Sequence, residues 1–163
     1  MATIWVISPY ESIDDKTFEA AWKFDLKNNT IALGWFELGD ISSLSVNEIR
    51  DKYKIIYINE HKAKGKITEV ANELWAFYHN IQEGDKVIAR KGRKVILSIG
   101  TVIGKAYYNT DKGYLRIAGE NGHMYPNFIS VDWDGKEIKF TDQKFSMITI
   151  YKISQIRYNE IMN

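Results

Sequence analysis

The sequence predicts an α+β domain, a curved β-sheet or barrel with helices packed on it. Helical periodicity is concentrated early in the chain and short β-branched runs late, the pattern of a sheet or barrel carrying helices. Aromatics make up 13% of the chain, with ten Tyr and five Trp, and they favour pleated, half-buried positions. No internal repeat, low-complexity tract or Pro/Gly-rich linker interrupts the chain, so residues 1–163 read as one domain, with 45% apolar content to build its core.

Thr3 to Ile7 is a dense β-branched and aromatic run, read as the first strand, and Ser8-Pro9 ends it because proline cannot donate to a ladder. Ser12 to Trp22 reads as a helix, with Ser12 as cap, Asp14 and Asp15 in the first turn, and Phe18, Ala21 and Trp22 on its inner face. Asp25 to Asn29 reads as a turn. Ile31 to Leu33 is then short enough for a buried strand, followed by Gly34, Trp35, Phe36 and a turn at Gly39-Asp40. Ser45 opens a helix with Glu48 as its capping-box partner and Val46, Ile49 and Tyr53 on one face. Lys54 to Asn59 fits helix and strand alike, and 60–66 is a polar connection. From about Lys66 to Ile81 runs the clearest helix, with Ile67, Val70, Leu74, Phe77 and Ile81 in one stripe beside Ala71 and Tyr78. Glu83-Gly84-Asp85 stops it.

The remainder reads mostly as strands. Lys86 to Arg90 is one, and Val95 to Ala106 is a long one in which Gly100 and Gly104 would allow a bulge or sharp coil. Tyr114 to Ala118 and Asn127 to Trp133 are two more. Asp134-Gly135 is a hairpin signal, Lys136 to Phe140 and Ser146 to Ile150 follow as strands, and a short helix closes the chain over Ile153 to Met162.

Composition narrows the function. A net charge of +1 does not mark a nucleic-acid binder by itself, so only a local basic cluster could. With no cysteine there is no disulfide, thiol nucleophile or Cys-based zinc site, which fits a reducing cytoplasm. The first ten residues are too short and polar for a signal peptide, and no apolar run approaches the ~20 residues of a membrane span. His61, His79 and His123 show no ligand spacing, and no GxxxxGK[ST], HExxH, GxSxG or EF-hand pattern occurs. Asp14-Asp15 and Asp132 with Asp134 are explained by a helix start and a turn. No nucleophile and base stand out as a pair, so the chain is not expected to be an enzyme acting alone, nor to hold a cofactor or metal.

Gly34 and Trp35 are the first functional candidates. A glycine lets a backbone or flat ligand approach, and a Trp just past it at a strand end can serve as a stacking wall or as a core aromatic. The basic candidates are Arg90, Lys91, Arg93 and Lys94, in the turn between two strands, with Lys105, Lys112 and Arg116 able to extend the patch. The same residues also fit a solvated hairpin tip.

Four stretches in order resemble one family. WVISPYES looks like the first strand and loop of the EVE and YTH branches of the PUA-like superfamily. IALGWFELGDIS is similar to the "aIGW.elGD" stretch of EVE-like domains, including the N-terminal domains of McrB-type modification-dependent restriction proteins. IQEGDKVIARKG with ILSIGTVIGKAYY resembles the family's helix, Gly-Asp turn and "iGxItGxYxY" strand, and YPNFISVDW resembles its "yxHxRxVxW" strand. Asn127, Ile129, Val131 and Trp133 stand at that last motif, so the family's His and Arg are absent.

The resemblance implies a curved β-barrel flanked by helices that holds an extruded, often modified base in an aromatic pocket. It assigns Trp35 as one wall, with Ser8, Pro9 and Tyr10 lining the same pocket. The second wall falls among Tyr114, His123, Met124 and Tyr125, with Tyr125 preferred, and Trp22 would lie beneath the pocket or join it. The implied partner is methylated double-stranded DNA, with N6-methyladenine the first base to test. A GTPase motor and a nuclease, fused or assembled, would cleave. An RNA-binding PUA-like domain and a protein-interaction scaffold are the alternatives.

Overall fold

The computed structural model describes residues 2–11, 14–59, 66–118 and 123–163. In chain order the elements are strand β1 (Ile4–Ile7), helix α1 (Asp15–Asn28), β2 (Thr30–Leu33), a 3₁₀ turn (Phe36–Leu38), α2 (Val46–Ile56), α3 (Ile67–His79), β3 (Lys86–Lys91), β4 (Val95–Val102), β5 (Tyr107–Tyr108), α4 (Thr110–Arg116), β6 (Asn127–Trp133), β7 (Ile138–Lys139), β8 (Ile150–Ile153) and α5 (Gln155–Met162). The strands form one curled sheet in the order β2-β6-β4-β3-β1-β8, flanked by helices, and the class is α+β. β1 and β3 pair in parallel in its interior, and the other described pairs are antiparallel.

Alternation along these strands sorts side chains between two cores. Trp5, Ile7, Val87, Ala89 and Leu97 face the larger one, which the inner faces of α1, α2 and α3 complete with Phe18, Ile49, Tyr53, Leu74 and Phe77. Ile4, Val6, Ile88 and Ile96 face a smaller one, closed by Phe145 and by Ile161 of α5. The α3 stripe and the Ser45–Glu48 capping box form as their spacing predicts. Among the described residues no helix is long and apolar enough to cross a membrane.

Several elements differ from the sequence expectation, each for a physical reason. Helix α1 runs on to Asn28, because nothing in Asp25 to Asn28 breaks it and Asn29 closes it in the left-handed conformation (φ 53°). Its cap is Asp14, which accepts from Thr17 N at 3.2 Å, and Ser12 lies outside the described residues. Tyr114 to Ala118 is not a strand: Asn109 caps α4 there, and Gly113 lies where a Cβ would meet Tyr125 O at 2.7 Å. The bulge falls at Leu97, which is left unpaired where Ala89 faces Ser98 and Arg90 faces Ile96. Gly100 instead admits the crossing strand, since a Cβ would lie 2.5 Å from Val131 Cγ1 and 2.8 Å from Trp133 Cε3.

Asp134-Gly135 makes a turn (Gly135 φ +69°) but not a hairpin, because β6 and β7 both pair with β4. The Asp134 carboxylate accepts from Ser98 Oγ, Ile99 N and Lys136 N, carrying the chain across the gap between β6 and β7. Of Lys136 to Phe140 only Ile138–Lys139 is strand. The last strand begins at Ile150 rather than Ser146, and 146–149 becomes an irregular turn.

Asp85, at the Gly-Asp stop after α3, ties these pieces together. Its buried carboxylate accepts from Thr3 N, Trp5 Nε1 and Gln82 N, each at 3.0 Å. Asp85→Ala strands these donors and should cost about 3 kcal/mol or more in urea unfolding. Glu73, on α3 against β8, gives a second test. Burial raises its carboxyl from 4.5 to about 7, against the pull of the Ile150 N–H. The folded protein therefore keeps a proton that the unfolded chain releases, and stability should fall as pH rises from about 4.5 to about 7. Glu73→Gln should flatten the Tm profile across that window.

Candidate functional site

Past Leu33 the chain leaves β2 through Gly34 and enters Trp35 in the left-handed conformation (φ 56°, ψ 42°). A bulky residue there costs of order 1–3 kcal/mol and persists only where its surroundings hold it. Two groups do. Asn127 Nδ2 donates to Gly34 O at 2.7 Å and Leu33 O at 3.4 Å, and its Oδ1 accepts from the Tyr78 hydroxyl. Leu38 N then bonds to Trp35 O at 3.1 Å, and the Leu38 side chain is fully buried. The indole packs partly on the core and borders an open cleft of about 650 Å³.

Tyr125 forms the neighbouring wall. Its ring lies over Gly34, where a Cβ would sit 3.2 Å from Cζ, so the glycine admits this tyrosine. Tyr10 meets Tyr125 at 5.0 Å between centroids, tilted 36°, and Phe36 meets His123 edge-on at 5.5 Å. Burial pushes the Tyr125 hydroxyl above its ordinary range. Among the described residues, Lys66 and the nearly buried Arg90 line the cleft together with Glu11 and Glu37.

A buried ion pair holds this arrangement from behind. Arg116 Nε and Nη2 bond Asp25 Oδ1 and Oδ2 at 3.0 and 2.7 Å, with neither side chain exposed. Nη2 also donates to Pro9 O at 2.6 Å, and the guanidinium lies 5.2 Å from the Tyr125 centroid. Asp25 Oδ1 further accepts from Thr30 Oγ1 at 3.0 Å. One pair thus joins α1, β2, α4, the loop after β1 and the Tyr125 wall.

The structure brings Trp35, Ser8, Tyr10 and Tyr125 to one cleft. Pro9 is buried behind it and offers its carbonyl to Arg116. Trp22 lies away from the lining, 7% exposed and edge-on to Trp133 at 5.1 Å. Tyr114 points outward from α4, 54% exposed, and is also absent from the lining.

The basic residues divide similarly. Arg116 is locked in its ion pair. Arg90 is 2% exposed and spends its Nη groups on Gly92 O, Ile148 O and Met147 Sδ. Lys91 pairs with Asp15 at 3.0 Å and Glu19 at 3.4 Å on α1, and Asp15 raises its ammonium above the ordinary range. Arg93 and Lys94 are exposed and line a second, open concavity of about 670 Å³ with Lys91 and Lys139, and Glu19 and Glu137 line it too. Lys105 is exposed beyond β4, outside both concavities.

Sequence reasoning missed Asn127, Phe36 and Met147 as parts of the site. The signal for Asn127 was a polar side chain opening the apolar FISV strand. Its amide fixes the peptide before Trp35. Arg116→Met leaves the Asp25 charge buried and alone, and should cost about 3–5 kcal/mol in urea unfolding. Adding Asp25→Leu should recover much of that loss. No curated protein matches the chain. The model of one family, described as a domain of unknown function (DUF8426), matches residues 5–154, a span that takes in the described strands except Ile4, and the chain belongs to that family.

Proposed function

We propose that the chain is a DNA-binding domain of PUA-like design that receives one extruded, methylated base in the cleft beside Trp35. The supporting observation is a part-exposed indole, held on costly left-handed backbone, at the edge of an opening large enough for a nucleobase. Tyr10, Tyr125 and Phe36 add aromatic surface around it. Among the described lining residues Lys66 and Arg90 are offset by Glu11 and Glu37, which suits a neutral aromatic group better than a phosphate. The curled sheet with flanking helices is compatible with a PUA-like barrel.

Extruding a base costs a few kcal/mol. Stacking returns about 1–3 kcal/mol per base, and phosphate contacts must supply the rest. Arg93, Lys94 and Lys139 are the exposed cations available at the second concavity. With so few, affinity is modest and falls steeply with salt. In this reading the chain is a targeting domain, not an enzyme, and acts in the cytoplasm. A GTPase motor and a nuclease, fused to it or assembled with it, cut the DNA it selects, and N6-methyladenine is the first modification to test.

The test is titration with matched methylated and unmethylated DNA duplexes and the equivalent RNA. Preference for methylated DNA is expected. Tighter RNA binding would make this an RNA reader, and no binding to any of them would leave a scaffold. Trp35→Ala should weaken methylated-duplex binding by about 1–3 kcal/mol while circular dichroism stays unchanged. Broad unfolding of that variant without a specific binding loss would overturn the stacking role.

A further inference from the structure

Met147 and Ile148 lie between β7 and β8, and their side chains are 48% and 49% exposed. Their backbone is anchored at each step. Ser146 N donates to the Tyr151 hydroxyl at 3.0 Å, and Ile148 N to Ser146 Oγ at 3.3 Å. Ile148 O accepts from Arg90 Nη2 at 2.8 Å, and Thr149 O from Ser8 N at 2.8 Å. Arg90 Nη1 also lies 3.7 Å from Met147 Sδ. Arg90 itself is nine-tenths and more buried with its Nε unpartnered, and among the described residues no carboxylate pairs with it. The buried Arg90 thus grips the Ile148 carbonyl and touches the Met147 sulfur, while both residues stay about half exposed.

Their position gives that exposure a use. Met147 lines both concavities, the Trp35 cleft on one side and the Arg93–Lys94–Lys139 groove on the other. A duplex whose phosphates meet Arg93, Lys94 and Lys139, in a groove that Glu19 and Glu137 also line, and whose extruded base enters the cleft must cross the ridge at Met147. There it has an unstacked gap where the base left the helix. Apolar side chains such as Met and Ile fill such gaps and keep the step open.

We infer that Met147 and Ile148 form a wedge that enters the duplex at the vacated step and holds the flipped state. This rests on the base-binding reading of the Trp35 cleft. It assigns the partner as double-stranded nucleic acid, because a single strand has no partner base to hold apart. Selectivity for the base stays with the cleft, and the wedge favours extrusion of any base.

The test measures binding of the wild-type chain and of a double variant, Met147→Ala with Ile148→Ala, to oligonucleotides sharing one methylated base. The three forms are a matched duplex, a duplex with an abasic site opposite that base, and the single strand. Both replaced side chains are about half exposed, and an unchanged Tm will confirm the fold. The double variant should lose about tenfold or more on the matched duplex, where unstacking is hardest, and about threefold or less on the other two. A 2-aminopurine beside the methylated base should brighten with wild type and much less with the variant. Equal loss on all three ligands, or no loss on the matched duplex, overturns the wedge and leaves the cleft reading intact. Wild-type binding to the single strand alone also overturns the wedge while supporting the cleft. Wild-type binding to none of the three overturns both.

Discussion

The Arg116–Asp25 pair is the interaction on which the cleft's geometry depends. Two opposite charges with no exposure are costly to bury, and their attraction repays that cost only when the geometry is good and other hydrogen bonds finish the job. Here the pairing is bidentate and further contacts reach Pro9 O and Thr30 Oγ1, while among the described residues Arg116 Nη1 is buried with no hydrogen-bond partner. Apolar side chains of similar volume could fill the same space. They could not at once grip a carbonyl in the loop after β1, a hydroxyl at the start of β2 and the face of Tyr125. The pair places parts that the sheet ladder does not reach.

The second constraint lies one layer nearer the cleft. Strand β6 bonds β2 along one edge and β4 and β5 along the other, so its first residue, Asn127, sits where the sheet ends and Gly34 begins. The Asn127 amide holds the Gly34 carbonyl and takes the Tyr78 hydroxyl in return. That bond sets the direction in which the chain enters Trp35. Gly34 contributes differently: a Cβ there would press on the Tyr125 ring at 3.2 Å, so the glycine lets that ring lie close. Strain at Trp35 is therefore offset by hydrogen bonds and packing around it, and the indole packs partly on the core while bordering an opening.

Charge follows the same division of labour. Four consecutive-looking cations at the β3–β4 turn end in different places. Arg90 is buried on β3 opposite the bulge in β4, Lys91 reaches back to α1, and Arg93 and Lys94 face solvent. Alternation and the bulge at Leu97 separate them, so a basic run in sequence becomes two surface charges, one ion pair and one buried anchor. Arg116, which extends the same patch in sequence, turns inward altogether. The cationic surface is smaller than the sequence suggests and is completed by Lys139 from β7, which no local pattern connects to it.

Sequence alone determined the elements whose signal is local. The α3 stripe, the Ser45–Glu48 cap, the β1, β3 and β6 runs and the α+β class follow from periodicity, capping chemistry and β-branched content, which act within a few residues. Trp35 beside Gly34 was legible as a possible wall for the same reason. Tertiary structure alone decided what depends on partners distant in the chain. It made 110–116 a helix through Gly113 packing on Tyr125, and carried β7 along β4 past a turn that reads as a hairpin. It sent Trp22 and Tyr114 away from the cleft, while Asn127 and Tyr125 came to Gly34 from more than 90 positions away. Those outcomes rest on buried hydrogen bonds, one ion pair and close approach at glycine, whose partners are named only when the chain has folded.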